Sequence, residues 1–202
     1  MQARRSVILA VCTVLASPAF LFAQNGQATA PAAGAPAAAP SSYSPADSMG
    51  ALLSLTEMEV VSAAEAMPAD KYDFVPTTGE FKTVRTFGQQ VKHLAQANYS
   101  LLKASGVPSA VDPKTLEGLK SKEELVQALK DSYTYAHTVA NSLTTDNAFS
   151  SVPNLPPNWK ITRTSDVAFM IMHTMDHYGQ MCVYLRMNGI IPPASRPQQG
   201  SM

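Results

Sequence analysis

The 202-residue sequence contains little cysteine and has no excess of charge of either sign. It has two cysteines and one tryptophan, and its 15 basic residues equal its 15 acidic residues in number. A net charge of zero provides no basic surface of the kind that binds nucleic acid, so nucleic-acid binding is excluded. Runs that alternate apolar and polar residues, the signature of strands, are also missing, which favours an all-α protein.

Residues 1–23 predict a signal peptide that is cleaved. Arg4 and Arg5 precede an uncharged, mostly apolar segment that ends in small residues suited to cleavage. Pro18 disfavours the alternative of a retained membrane anchor, because a spanning helix needs about 20 apolar residues. We therefore expect an exported protein, periplasmic or secreted, with no stable membrane span after cleavage.

Cleavage would leave a slightly acidic chain without a disulfide. It removes Arg4 and Arg5 and no acidic residue, so 13 basic and 15 acidic residues remain, a net charge of −2. Cys12 leaves with the signal peptide, and Cys182 then has no partner within the chain. The domain must be stabilised by its apolar core or by a metal.

Composition divides the rest of the chain into a linker, one domain and a tail. Residues 24–46 consist almost entirely of Ala, Pro, Gly and Ser, and we expect a flexible, disordered linker there. Residues 47–195 form one domain of about 150 residues, a common size. Paired prolines after Ile191 stop any helix, so residues 196–202 are expected to form a disordered tail.

Capping signals and helical periodicity predict four helices in the domain. The first has Asp47 or Ser48 as its cap, and capping boxes mark the second and third. The expected bounds are Asp47 to about Met67, Thr86 to Gly106, Ser121 to about Leu143, and Thr164 or Ser165 to Gly189. Four such helices indicate a four-helix bundle, and the long connections, residues 68–85, 107–120 and 145–163, leave its topology open.

Two further expectations concern apolar side chains. Trp159, in the third connection, either plugs one end of the bundle or contacts substrate. The first helix is expected to bury an apolar face made of Leu52, Leu53, Leu55, Met58, Val60 and Val61.

Histidines provide the only candidate chemistry. His173 and His177 lie four residues apart on the fourth helix, about 40° apart in azimuth, so both imidazoles can reach one ion. Polar and aromatic side chains share their arc on an otherwise apolar helix, and burying them without partners would be costly. These neighbours are Asp166, Phe169, Asp176, Gln180 and Tyr184. The pattern fits a metal site or a pair satisfied by hydrogen bonds.

His93 on the second helix is the natural third ligand. Its neighbours Gln90, Ala97 and Ser100 suit a cleft wall and would equally suit an exposed polar face. His137 on the third helix has less support.

Two segments of the sequence resemble the DinB/YfiT-like family: VKHLAQANY around His93, and HTMDHYGQMCVYLRMNGIIPPAS, which closes the domain. The resemblance covers nearly all of residues 47–195. It implies a four-helix bundle with up-down-down-up order, in which His93, His173 and His177 bind one divalent metal ion. Three neutral imidazoles on Zn, Ni or Fe leave a coordination position open, as catalytic sites do.

The resemblance also suggests functions. Some relatives are thiol-dependent S-transferases or isomerases, but their thiol cofactors are mainly cytosolic and this chain is expected to be exported. A metal-dependent hydrolase and a non-catalytic exported metal-binding module are therefore the alternatives, and a small-molecule substrate and a homodimer stay open.

Other roles for the same helix are weaker or undecided. The HTMDH segment is unlike an inverted zinc peptidase, because Asp176 is shorter than the required glutamate and no acidic residue follows it. A copper carrier would need thioethers, yet only Met170 and Met181 could approach the ligands, whereas Met172 and Met175 are expected to fill core space.

Asp176 could orient an imidazole or form an exposed salt bridge. Gln180 and Tyr184 could face substrate or pack.

Overall fold

The computed structural model describes residues 42–153, 155 and 158–197. This part of the chain contains no strand beyond an isolated antiparallel bridge between Ser151 and Thr162, which confirms the all-α prediction. None of its helices is long and apolar enough to cross a membrane. Its four long helices are α1 (Pro45–Ala66), α2 (Phe87–Leu102), α3 (Lys122–Asn141) and α4 (Arg163–Met187).

The start of α1 differs from the prediction. Ser44, not Asp47 or Ser48, caps the helix: its hydroxyl accepts from the Asp47 amide at 3.0 Å, and the Asp47 carboxylate accepts from the Ser44 amide at 3.1 Å. Pro45 follows at the first helical position, where its fixed φ suits the helix. Residues 45 and 46, predicted as linker, are therefore helical. The predicted signal peptide, residues 24–41 of the linker and residues 198–202 of the tail lie outside the described residues.

Capping boxes start the other three helices as well. The boxes of Thr86 with Gln89 and of Ser121 with Glu124 confirm the predicted starts of α2 and α3. The fourth helix begins slightly earlier than predicted, with Thr162 as its cap. The second helix itself ends at Leu102, and a single 3₁₀ turn leads to Gly106, whose φ of 82° is left-handed.

Contacts at the helix ends give the relative directions. Near the start of α2, the Arg85 carbonyl accepts from the Tyr184 hydroxyl at the end of α4, at 3.1 Å. Just beyond the end of α2, the Ser105 carbonyl accepts from the guanidinium of Arg163 at the start of α4, at 2.7 Å. The second and fourth helices are therefore antiparallel.

The remaining pairs complete the topology. The Lys122 ammonium at the start of α3 donates to the Met67 carbonyl just after α1, which makes these two helices antiparallel. Gly88 lies near Leu125, and the Tyr135 hydroxyl bonds the Val107 carbonyl, so α2 and α3 run parallel. The order is thus up, down, down, up, as the family resemblance implies.

The apolar core contains less of α1 than predicted. Leu53 and Val60 are buried, but Leu52, Leu55 and Met58 are 50%, 51% and 60% exposed. Smaller side chains fill the inner face instead: Thr56, Ala63 and Ala64. The buried Thr56 hydroxyl is satisfied because it donates to the Leu52 carbonyl.

Two glycines provide a test of this backbone. We expect Gly106→Ala to lower the free energy of unfolding by about 1 kcal/mol, because a Cβ disfavours the left-handed conformation. Gly50 lies inside α1 with open space around it, so Gly50→Ala should raise the free energy of unfolding by about 0.5–1 kcal/mol. Urea unfolding of both variants measures the two changes in the free energy of unfolding. Changes of the same sign in the two variants would contradict the assigned backbone conformations.

Candidate metal centre

Three imidazoles from two helices meet in the groove between α2 and α4. The Nε2 atoms of His93 and His173 are 3.2 Å apart. The ring of His177 lies 4.7 Å, centroid to centroid, from each of the other two rings. One nitrogen from each residue can be chosen so that all three lie within 4.8 Å of one another.

Helix geometry explains why these side chains converge. His173 and His177 are one turn apart on α4 and project from the same side. The antiparallel α2 brings His93 against them, and a bond of 2.9 Å between the side-chain amides of Gln90 and Gln180 fixes the register one turn away. The sequence left His93 open between a cleft wall and an exposed polar face. The structure places it, half-buried, on the wall of a cleft.

The three residues fit a divalent metal ion. Nitrogens that bind one Zn²⁺ tetrahedrally at about 2.0–2.1 Å lie about 3.3 Å from each other. The 3.2 Å between His93 and His173 is close to that value, and His177 is near enough to be a third ligand after a small adjustment. These three histidines could therefore hold a metal ion together.

The imidazoles favour their neutral form, in which a histidine binds metal. Burial lowers the pKa of His93 to about 4, with additional contributions from the positive charge of Arg85 and from the other two rings. Burial also lowers the pKa of His173 and His177, although the carboxylate of Asp176 acts in the opposite direction. Arg85 was not predicted as part of this site, because it precedes α2 and only the fold brings it close.

The outer nitrogens of the pair on α4 have no protein partner in the described part of the chain. The Nδ1 atoms of His173 and His177 are buried and make no hydrogen bond there. Asp176, proposed to orient a ring or to form a salt bridge, is exposed, and its carboxylate accepts a long bond of 3.4 Å from Gln180. The Tyr184 hydroxyl, which donates to the Arg85 carbonyl, holds α4 against the segment before α2.

A cleft of about 860 Å³ opens beside the imidazoles. His93 and His173 line it, together with polar side chains from the end of α2 and from the connection between α2 and α3. These polar residues are Gln96, Lys103, Asp112, Lys114 and Glu117. The length of that connection was the only sequence signal for this wall.

The remaining candidates lie elsewhere. His137 pairs with Glu57 of α1 at 2.8 Å and is not part of the cluster. Met170 and Met181 are fully buried in the core, whereas Met172 and Met175 are 61% and 37% exposed. The prediction that these last two fill core space is therefore wrong, because the face that they share on α4 points to solvent.

Trp159 is 57% exposed and lines a small pocket, so it does not plug the bundle. The third connection leaves its indole at the surface beside α4.

Comparisons with known proteins agree with the fold. Residues 52–181 match the sequence model of the DinB superfamily. A protein from Exiguobacterium sibiricum 255-15, assigned to the DinB family, has a crystal structure that is similar to this chain with a TM-score of 0.52 and 17% identity. The similarity covers 71% of this chain and 91% of that one. No curated protein matches the sequence.

The burial of the imidazoles predicts their titration. In metal-free protein we expect all three to titrate below pH 6.5, and His93 near pH 4. Unfolded histidines take up protons near pH 6.5, so the folded state should lose stability as pH falls from there towards 4. NMR of the imidazole ring protons, after any bound metal is removed with a chelator, measures the three pKa values. Urea unfolding midpoints at several pH values measure the loss of stability. A His93 that titrates at or above 6.5 would contradict the arrangement.

Proposed function

This chain belongs to the DinB superfamily, and on that premise we propose that His93, His173 and His177 bind one divalent metal ion at a catalytic site. The convergence of three imidazole nitrogens within 4.8 Å, beside an open cleft, carries the proposal. The exposed fraction of His177 is 8%, whereas His93 and His173 are half-buried and line the cleft. Two of the three proposed ligands therefore lie where a small molecule can reach them.

The donor set suits catalysis more than structural stabilisation. Structural zinc sites close the coordination sphere with four protein ligands, whereas catalytic sites use three. A divalent metal ion with an open position lowers the pKa of a water or thiol that binds it and polarises a substrate carbonyl. Imidazole alone does not choose among Zn, Ni and Fe.

The residues around the imidazoles have separate tasks in this proposal. Gln90 and Gln180 hold the two helices at a fixed separation beside the rings. Burial keeps the rings neutral at neutral pH, ready to donate a lone pair. The cleft is lined by the ammonium groups of Lys103 and Lys114 and by the carboxylates of Asp112 and Glu117, so it offers charges of both signs to a substrate.

Two reaction types fit this arrangement: transfer of a low-molecular-weight thiol to an electrophile, and hydrolysis. In both, a metal ion held by His93, His173 and His177 would lower the pKa of the nucleophile, and the cleft beside the imidazoles is open to either co-substrate. We propose further that the chain is exported, on the strength of its N-terminal sequence.

One observation favours the alternative, a non-catalytic exported metal-binding module. No acidic side chain is hydrogen-bonded to the imidazole of His93, His173 or His177 in the described part of the chain. Asp176 is exposed, and Glu117 across the cleft accepts from Gln96 at 2.9 Å. The two carboxylates that line the cleft, those of Asp112 and Glu117, both accept hydrogen bonds from protein groups and not from the imidazoles.

Metal analysis tests the site. Protein purified without added metal should carry one divalent ion per chain, and His93→Ala, His173→Ala and His177→Ala should each weaken metal affinity at least about tenfold. His137→Ala is the matched control, since it removes an imidazole outside the cluster. Elemental analysis gives metal content, and circular dichroism verifies that each variant is folded. Full metal content in any of the three variants would contradict a shared site.

The loaded protein then separates the functions. Thiols offered with electrophiles test transfer, and ester or amide substrates test hydrolysis. Turnover that is lost in His93→Ala and kept in His137→Ala supports an enzyme. Metal binding without turnover in either screen favours the binding module.

A further inference from the structure

A second, smaller pocket continues the groove from the imidazoles towards the start of α4. Its volume is about 160 Å³, and it shares Ser100 and Leu101 with the larger cleft. A cavity of about 150 Å³ holds one benzene ring, so this pocket is large enough for a single aromatic ring. The apolar lining includes Leu101, Ala104, Trp159, Ile161 and Phe169.

A buried carboxyl group lies in this apolar lining. The exposed fraction of Asp166 is 4%, and its Oδ2 atom has no hydrogen-bond partner in the described part of the chain. Burial raises the pKa of Asp166 to about 6, so the group is mostly ionised above neutral pH. A buried, ionised carboxylate without a partner is costly, and a ligand that supplies a donor or a positive charge would offset that cost.

The pocket and the imidazoles belong to the same two rows of side chains. On α4, Asp166 and Phe169 precede His173 by two turns and one turn on the same side of the helix. On α2, Ser100 follows His93 by two turns on the facing side. The carboxyl group is therefore about 10 Å from the proposed metal site along the groove, a separation that one small molecule can span.

We propose that this pocket binds the aromatic end of a substrate, a single ring that carries a primary amine, and that Asp166 is the residue that recognises the amine. The assignment of the bound molecule as substrate rests on the proposed function of the three histidines. The proposed binding of the ring and the amine is independent of the function of the three histidines.

The lining favours this chemistry over a plain hydrocarbon. An ammonium group offers three donors and a positive charge to the unpartnered carboxylate. Trp159 and Phe169 are half-exposed aromatic walls, and aromatic faces attract both a ring and a cation. An anion would meet repulsion from Asp166, and a bulky bicyclic group would exceed the volume.

The single tryptophan of the chain makes binding directly observable. Trp159 lines the pocket and provides the only indole N–H resonance in an NMR spectrum of the ¹⁵N-labelled protein. At a pH of about 8, where the carboxylate is charged, we expect benzylamine to shift this resonance. Its dissociation constant should be about tenfold lower than those of toluene, which lacks the amine, and propylamine, which lacks the ring.

Variants separate the contributions. Asp166→Asn keeps the shape and should weaken benzylamine about tenfold while toluene binds as before, which also shows that the pocket is intact. Phe169→Ala should weaken both probes. Asp131→Asn, an exposed carboxylate on α3, is the matched control and should change neither.

The outcomes distinguish this proposal from the metal proposal. His173→Ala should weaken metal binding at least about tenfold and leave benzylamine affinity unchanged. Benzylamine that binds no better than toluene, or equally well to Asp166→Asn, overturns the amine subsite even if the metal loads normally. Absence of metal together with selective benzylamine binding overturns the metal site and leaves the subsite intact.

Discussion

The antiparallel register of α2 against α4 decides whether imidazoles from two helices can meet. A slip of one helical turn would move His93 by about 5.4 Å relative to His173 and His177, more than the 4.8 Å within which the three imidazole nitrogens lie. Hydrogen bonds hold this register at both ends of the pair and beside the rings. They join Tyr184 to Arg85, Arg163 to Ser105, and Gln90 to Gln180.

Most of the buried polar side-chain atoms that lack a hydrogen-bond partner in the described residues lie in the groove between α2 and α4. Six buried side-chain atoms have no partner in the described part of the chain, and four of them lie along α2 and α4 beside the site: Gln90 Oε1, His173 Nδ1, His177 Nδ1 and Asp166 Oδ2. Each such group costs about 1–3 kcal/mol. The stability that offsets this cost comes from the apolar contacts between α2 and α3 and between α1 and its neighbours, where side chains such as Tyr133, Leu129 and Leu94 are fully buried.

Local signals in the sequence predicted the parts of the fold that depend on local chemistry. The capping boxes at Thr86 and Ser121 fix two helix starts, because each box satisfies backbone amides within four residues. The spacing of His173 and His177 placed both on one face of α4 for the same reason. The cap of α1 was misplaced because Asp47 is a good cap by residue type and serves here as the reciprocal partner of Ser44.

Features that depend on packing between distant segments could not be predicted in this way. Leu52, Leu55 and Met58 are as apolar as their buried neighbours, and only the position of the other helices decides which side of α1 is covered. The cleft wall near Glu117 and the position of Arg85 likewise depend on long connections, and the path of these connections cannot be predicted from neighbouring residues in the sequence. His93 was the one distant residue placed near the pair, and the family resemblance, not its helical neighbours, decided that.

The helices hold the imidazoles, and the connecting segments form the surface around them. The imidazoles project from two long, rigid helices, whereas Trp159, Lys114 and Glu117, which surround the approach to them, belong to connecting segments. Connections tolerate insertion and replacement far better than packed helices do. Remodelling of these two connecting segments would therefore change what can reach the imidazoles and leave the histidine cluster on the helices in place.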